Sequence, residues 1–161
     1  MDYSYMVVAF IEKVPVGEII EPPKHPHITV KKKFKLLGIN EEELIQLLQN
    51  DKTIKGVKEL HLGEIKDYEN DQNKIIEVLN PDAWTDLHHN ILTLLDSYVE
   101  SRDPHFEGDN YLPHVTWKLR GKVTLDPEHL KDQTHRIRTI YLIQRVDPVI
   151  SRARVVALIN L

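Results

Sequence analysis

Two short stretches of this chain carry the residue types needed for proton transfer. Pro26-His27-Ile28-Thr29-Val30 and Pro113-His114-Val115-Thr116-Trp117 share the order proline, histidine, aliphatic, threonine, apolar. In a β-strand, residues i and i+2 project from the same face, so each stretch aims one imidazole and one hydroxyl at a common point. Two such strands side by side make a His-Thr/His-Thr box. Histidine takes up or gives a proton near neutrality, and threonine donates a hydrogen bond to an anionic oxygen. That set suits acid–base cleavage of a phosphodiester, with His27 and His114 as base and acid in either order and Thr29 and Thr116 holding phosphate oxygens. Chance matches to proline, histidine, isoleucine or valine, threonine number about 0.005 for a chain of this composition, so finding two is informative.

The same alternation extends each candidate site. Lys31 follows His27 and Thr29 on one face, and Lys118 follows His114 and Thr116, with Arg120 beyond it. These cations are candidate phosphate contacts. Tyr111 and Phe106 lie in the loop before the second motif, where they are expected to anchor the loop, base stacking being the alternative. His25 is spaced to neighbour His27, but Pro26 intervenes. A zinc site at His25 and His27 would lack a clear third ligand. His88 and His89 fall in a helix-like stretch and read as packing or surface residues. The chain has no phosphate-cradling glycine loop and no serine nucleophile elbow.

The elements that must position these residues can be read along the chain. Tyr3 to Ile11 is β-branched and aromatic, a predicted strand. Pro15 to Pro26 is proline-rich and predicted to be irregular. His27 to Phe34 is the first motif strand. Asn40 caps a helix through about Asn50, with Glu41, Glu42 and Glu43 suited to its N-terminal dipole. Gly56–Tyr68 and Lys74–Leu79 read as strands around a polar turn, Glu69 to Asn73. Asn80-Pro81-Asp82 starts a second helix, expected to reach about Ser101. A loop from Arg102 to Leu112 leads into the second motif strand, His114 to Leu119. Asp126 to Asp132 is at most a short helix, and Arg136–Val146 and Arg152–Ile159 are final strands. Strands and helices alternate without a parallel βαβ repeat, so the fold class is α+β with antiparallel sheets.

The 161 residues fit one domain, residues 1–161, with 41% hydrophobic and 29% charged residues. The absence of cysteine removes disulfides and thiol chemistry and suits a reducing cytosol. No apolar run is long enough to cross a bilayer, and the first residues lack the basic region of a signal peptide, so a cytoplasmic protein is expected. A net charge of −4 and pI near 6.1 argue against a large non-specific nucleic-acid surface while leaving room for a small phosphorylated substrate.

With its paired His27-Ile28-Thr29 and His114-Val115-Thr116 motifs about half a domain apart, the chain resembles the 2H phosphoesterase superfamily, in the group of 2′-5′ RNA ligase or RNA 2′,3′-cyclic phosphodiesterase proteins. The stretch HITVKKKF is similar to the basic, Phe-ended segment after motif one in one branch. The resemblance implies a bilobal, pseudo-two-fold domain with two antiparallel sheets flanking a cleft, helices outside, and both motifs lining the cleft. It implies a phosphodiesterase acting on 2′,3′-cyclic phosphates or 2′-5′ bonds in RNA ends or small nucleotides; the acid–base scheme itself requires no metal or cofactor, and a monomer is expected. Lys32 and Lys33 depart from the Phe-Leu-Gly turn of the RNA ligase-like members. Two other readings fit the same residues: a hydrolase of cyclic di- or oligonucleotide signals, and a non-catalytic module that binds RNA ends or nucleotides.

Overall fold

Runs of β-branched and aromatic residues become strands, and the two stretches of helical periodicity become helices, in the computed structural model of the chain, which describes residues 4–68, 70–147 and 151–161. In chain order these are β1 (Tyr5–Phe10), β2 (Ile19–Ile20), β3 (His27–Leu36), α1 (Glu41–Asn50), β4 (Lys58–Tyr68), β5 (Asn70–Val78), α2 (Pro81–Leu95), β6 (Val99–Ser101), β7 (His114–Leu119), β8 (Lys122–Val123), β9 (Thr134–Ile137), β10 (Thr139–Asp147) and β11 (Arg152–Asn160). Single 3₁₀ turns form at Pro22–Lys24, Pro104–Phe106, Gly108–Asn110 and Pro127–His129. The predicted Tyr3 and Glu69 lie outside the described residues.

The helices are set by their ends and one buried face. Asn40 caps α1 by accepting from the Glu43 amide at 2.8 Å, and the Glu43 carboxylate accepts from the Asn40 amide in return. Leu44 and Leu48 are its buried positions, one turn apart. In α2, Trp84, Leu87, His88, Ile91 and Leu95 are buried, and Pro81 occupies the first turn. The Asn80 side chain, at the N-cap position of α2, makes no capping hydrogen bond. It instead accepts from the His61 amide at 2.9 Å and donates to the Glu59 carbonyl at 2.8 Å, tying the helix start to β4. Helix α2 stops at Leu95 rather than Ser101, because Val99–Ser101 pairs with β3 at Phe34 to Leu36. The proline-rich loop also holds regular structure: Ile19 and Ile20 pair with β11.

Every strand pair among the described residues is antiparallel. The order is β2-β11-β10-β1-β3-β7-β5-β4-β9, with β6 on β3 and β8 on β7. The expected separation into two sheets is not what these strands form: they make one curled, half-barrel sheet carrying two helices. The α+β, antiparallel class holds. The halves meet at β3 and β7, which share the single pair Ile28↔Val115. One sheet face packs on the helices through Val7, Ala9, Ile28, Val30, Val115, Leu44 and Trp84. On the other face Val8, Phe10, Tyr141, Ile143 and Val155 pack with Val14, from the loop after β1, and Ile20 of β2. No helix among the described residues is long and apolar enough to cross a membrane.

Candidate active site

The β3–β7 junction fixes the two motifs relative to each other. Extending the single antiparallel pair Ile28↔Val115 by one residue each way sets His27 opposite Thr116 and Thr29 opposite His114. Ile28 and Val115 are fully buried toward the helices, so the two histidines and two threonines share the other face. His27 and His114 are then diagonal cross-strand neighbours, with backbones about 7–8 Å apart and side chains nearer. Each threonine lies directly across from the other motif's histidine.

The two imidazoles are anchored alike. His27 Nδ1 lies 2.7 Å from the His25 carbonyl oxygen, and His114 Nδ1 lies 2.7 Å from the Leu112 carbonyl oxygen. A carbonyl only accepts, so each Nδ1 carries a proton, and in the neutral ring each Nε2 carries the lone pair. The proline at i−1 contributes. It confines the preceding residue to extended backbone, as His25 shows with φ −116° and ψ 121°, and so aims that residue's carbonyl. The Pro-His order is therefore part of the device that fixes the tautomer.

Burial dominates the electrostatics and pushes both rings toward the neutral form. His114 is pushed down to about 4, first by burial; the Leu112 carbonyl opposes this, and the charges of Lys32 and His27 add to it. His27 is lowered by burial, with the His25 ring adding to the effect, while the His25 and Pro22 carbonyls favour its charged form. Phe10 meets the His27 ring edge-on at 5.6 Å, and the Tyr68 ring lies 4.9 Å from that of His114.

A concave pocket opens beside His114, lined by Thr29, Lys32, Tyr68, His88, Phe106, Glu107, Asn110, Tyr111, Leu112 and His114. Its roof is the 3₁₀-rich segment before β7, held by three ties. His88 Nδ1 donates to the Val30 carbonyl at 2.6 Å, and its Nε2 accepts from the Gly108 amide at 3.0 Å, which makes this buried ring neutral. Tyr111 stacks on His88 with centroids 4.0 Å apart and donates its hydroxyl to the Thr29 carbonyl at 2.8 Å. Burial raises the Tyr111 pKa. Lys31 donates to Glu107 Oε1 at 2.7 Å and to Ser101 Oγ at 2.9 Å.

The lysines of β3 depart from simple alternation. Val8 pairs with Thr29, Val7 with Lys31 and Tyr5 with Phe34, so β3 gains one extra residue at each of two steps along β1. The first step turns Lys31 to the helix side beside Val7, where it is 1% exposed and paired with Glu107. Lys31 therefore does not continue the face of His27 and Thr29; Lys32 lines the pocket instead. Lys118 reaches toward the Asp71 carbonyl at 3.4 Å. Arg120 and Gly121, with φ 50° and 80°, turn the chain between β7 and β8, and the Arg120 amide donates to Asn73. Of the residues expected at the site, Thr29, Tyr111 and His114 line this pocket, whereas His27, Thr116, Lys118 and Arg120 are not among its lining residues. The sequence does not mark Lys32, Tyr68, Glu107 and Asn110 as site residues, since their placement depends on the bulged register and the folded roof. Among the described residues no three His, Cys, Asp or Glu side chains are grouped as a metal ion would require.

No family model matches the sequence, and no curated protein matches it. A solved structure described as the crystal structure of a phosphoesterase is similar over 100% of both chains, with a TM-score of 0.60 and 12% sequence identity. At that identity the likeness is one of fold: the chain has a fold seen in a phosphoesterase.

Proposed function

We propose that the protein is a phosphodiesterase that uses His27 and His114 as a general acid–base pair on 2′,3′-cyclic phosphate or 2′-5′ bonds in RNA ends or small nucleotides. The observation that carries this reading is the matched anchoring of the two imidazoles. Each gives its Nδ1 proton to the carbonyl two residues earlier, which reserves Nε2 for proton exchange with a substrate. The fold shared with a phosphoesterase supports it.

In the proposed reaction His114 is the base, held neutral by burial and by the neighbouring charges of Lys32 and His27. Its Nε2 takes a proton from water as the water oxygen bonds to phosphorus. His27, whose neighbouring carbonyls favour the charged ring, donates a proton to the ester oxygen as the phosphorus–oxygen bond to it breaks. Thr29 and Thr116 donate to the non-bridging oxygens, whose charge grows in the transition state. Both rings begin neutral when the cleft is empty. A bound phosphate anion raises their pKa values, so that the His27 ring takes up a proton from solvent at Nε2 and becomes the acid.

Incubation with 2′,3′-cyclic nucleotides, 2′-5′ dinucleotides and cyclic dinucleotides in EDTA, read by mass spectrometry, tests the proposal. Opening of the cyclic phosphates or cleavage of the 2′-5′ bond is expected. Cleavage of cyclic dinucleotides alone would move the substrate to that class. Tight binding across the panel without turnover would make the protein a binding module.

A further inference from the structure

We propose that Lys32, turned into the cleft by the double irregularity of β3, is the cation that holds the substrate phosphate beside His114. The inference rests on the phosphodiesterase reading for its substrate and on the register of β3 for its geometry. A plain strand would send Lys31 to the cleft and Lys32 to the helix side. The extra residue between the Val8↔Thr29 and Val7↔Lys31 pairs exchanges those faces, and the second, before Phe34, restores the core register. Lys31 is thereby committed to Glu107 and Ser101, while Lys32 shares the pocket wall with Thr29 and His114.

The side chain of Lys32 is also positioned. Its Nζ lies 3.7 Å from the centroid of the Phe106 ring, which guides the ammonium across the pocket wall. Its charge is felt at His114, so the ammonium and imidazole stand within electrostatic reach. An anionic oxygen accepting from Thr29 or placed for His114 would share this pocket with Lys32. Phe106 and Tyr68 add ring surface to the same pocket, which fits a phosphate whose ester carries a planar base.

The groups that face His114 can be named from each neighbouring element. From β3 they are Lys32 and the His27 ring; from β4, Tyr68; from its own chain, the Leu112 carbonyl. From β5 it is the register partner Glu77, whose carboxylate is engaged by Lys66 at 2.5 Å. Lys32 is the cation in this set closest to the proposed chemistry, and its removal should raise the midpoint at which the His114 ring protonates.

The experiment titrates the full chain with inorganic phosphate and, separately, with adenosine 2′-monophosphate, following the histidine ring signals by NMR. Wild type, Lys32→Met, Lys32→Arg and Lys55→Met are compared; Lys55 bonds the Asn160 carbonyl and is not among the pocket-lining residues. Affinity for both probes should fall about tenfold or more in Lys32→Met, as expected for a charge-assisted contact. It should stay within about threefold in Lys32→Arg, which keeps the charge, and be unchanged in Lys55→Met. The His114 midpoint should rise in Lys32→Met alone. Affinity of Lys32→Met within about twofold of wild type, or no binding of either probe by wild type, overturns the inference. Lys32-dependent binding without hydrolysis of any phosphodiester would retain the inference and remove the hydrolase reading. Hydrolysis with kcat/KM indifferent to Lys32→Met would do the reverse.

Discussion

Removing Glu107 should unlatch the roof of the cleft, and the cost follows from its contacts. Lys31 is 1% exposed and its ammonium is 2.7 Å from Glu107 Oε1. At an effective dielectric of about 20 that attraction is roughly 6 kcal/mol, much of it offset by taking both charges out of water. Glu107→Ala leaves the ammonium buried beside Ser101 Oγ with its counter-charge gone, a loss of about 3–5 kcal/mol. For a chain of this size that is roughly 6–20 °C in melting temperature. Lys31→Met should cost less, because the Glu107 carboxylate, at the cleft wall, can turn to water. The double variant Lys31→Met/Glu107→Ala should recover much of the Glu107→Ala loss, since no unpaired charge stays inside. Thermal and urea unfolding of the four proteins completes a double-mutant cycle. A Glu107→Ala melting point within about 3 °C of wild type, or a double variant no more stable than Glu107→Ala, would refute the argument that this pair is buried, coupled and holds the roof.

Other consequences can be checked with the same preparations. His27, His88 and His114 all have folded-state pKa values below the ordinary histidine value, chiefly through burial. The unfolded chain therefore binds more protons than the folded one as pH drops below about 6.5, and stability should decline from there toward about 4. Urea midpoints at pH 7 and pH 4.5 test this; a protein more stable at pH 4.5 would contradict it. Trp84 and Trp117 should respond differently to replacement by phenylalanine. Trp84 is 0% exposed and its Nε1 donates to the Glu59 carbonyl at 3.1 Å, whereas the buried Trp117 Nε1 has no hydrogen-bond partner. Trp84→Phe should lose about 1–3 kcal/mol, while Trp117→Phe, which deletes an unsatisfied donor, should stay within about 1 kcal/mol of wild type. The reverse order in urea unfolding would refute the assignment.

The reach of the sequence reading differs from element to element. The motif strands were legible because the Pro-His-aliphatic-Thr pattern is local and strand parity is strict. Helix α1 was legible because Asn40 and Glu43 cap it through contacts three residues apart. The faces of Lys31 and Lys32 were not. Two extra residues in β3 cancel by Phe34, so the buried pattern at both ends of the strand matches an unbroken alternation. Only the partner strand β1 reveals the irregularities. The end of α2 was hidden for a similar reason: pairing of Val99–Ser101 with β3 is a long-range event that overrides local helical preference. The single sheet in place of two turns on one pair, Ile28↔Val115, which no local pattern encodes. The tie from each Nδ1 to the carbonyl two residues earlier had a visible sign, the proline before each histidine, whose meaning appears once the ring orientation is known.

The most direct measurement is the rate of phosphodiester cleavage, in EDTA, by wild type, His27→Ala and His114→Ala, using whichever substrate of the panel wild type cleaves. The account predicts a loss of roughly 10²–10⁴-fold in kcat for each variant, with folding retained by circular dichroism. Both variants turning over that substrate at the wild-type rate would contradict it.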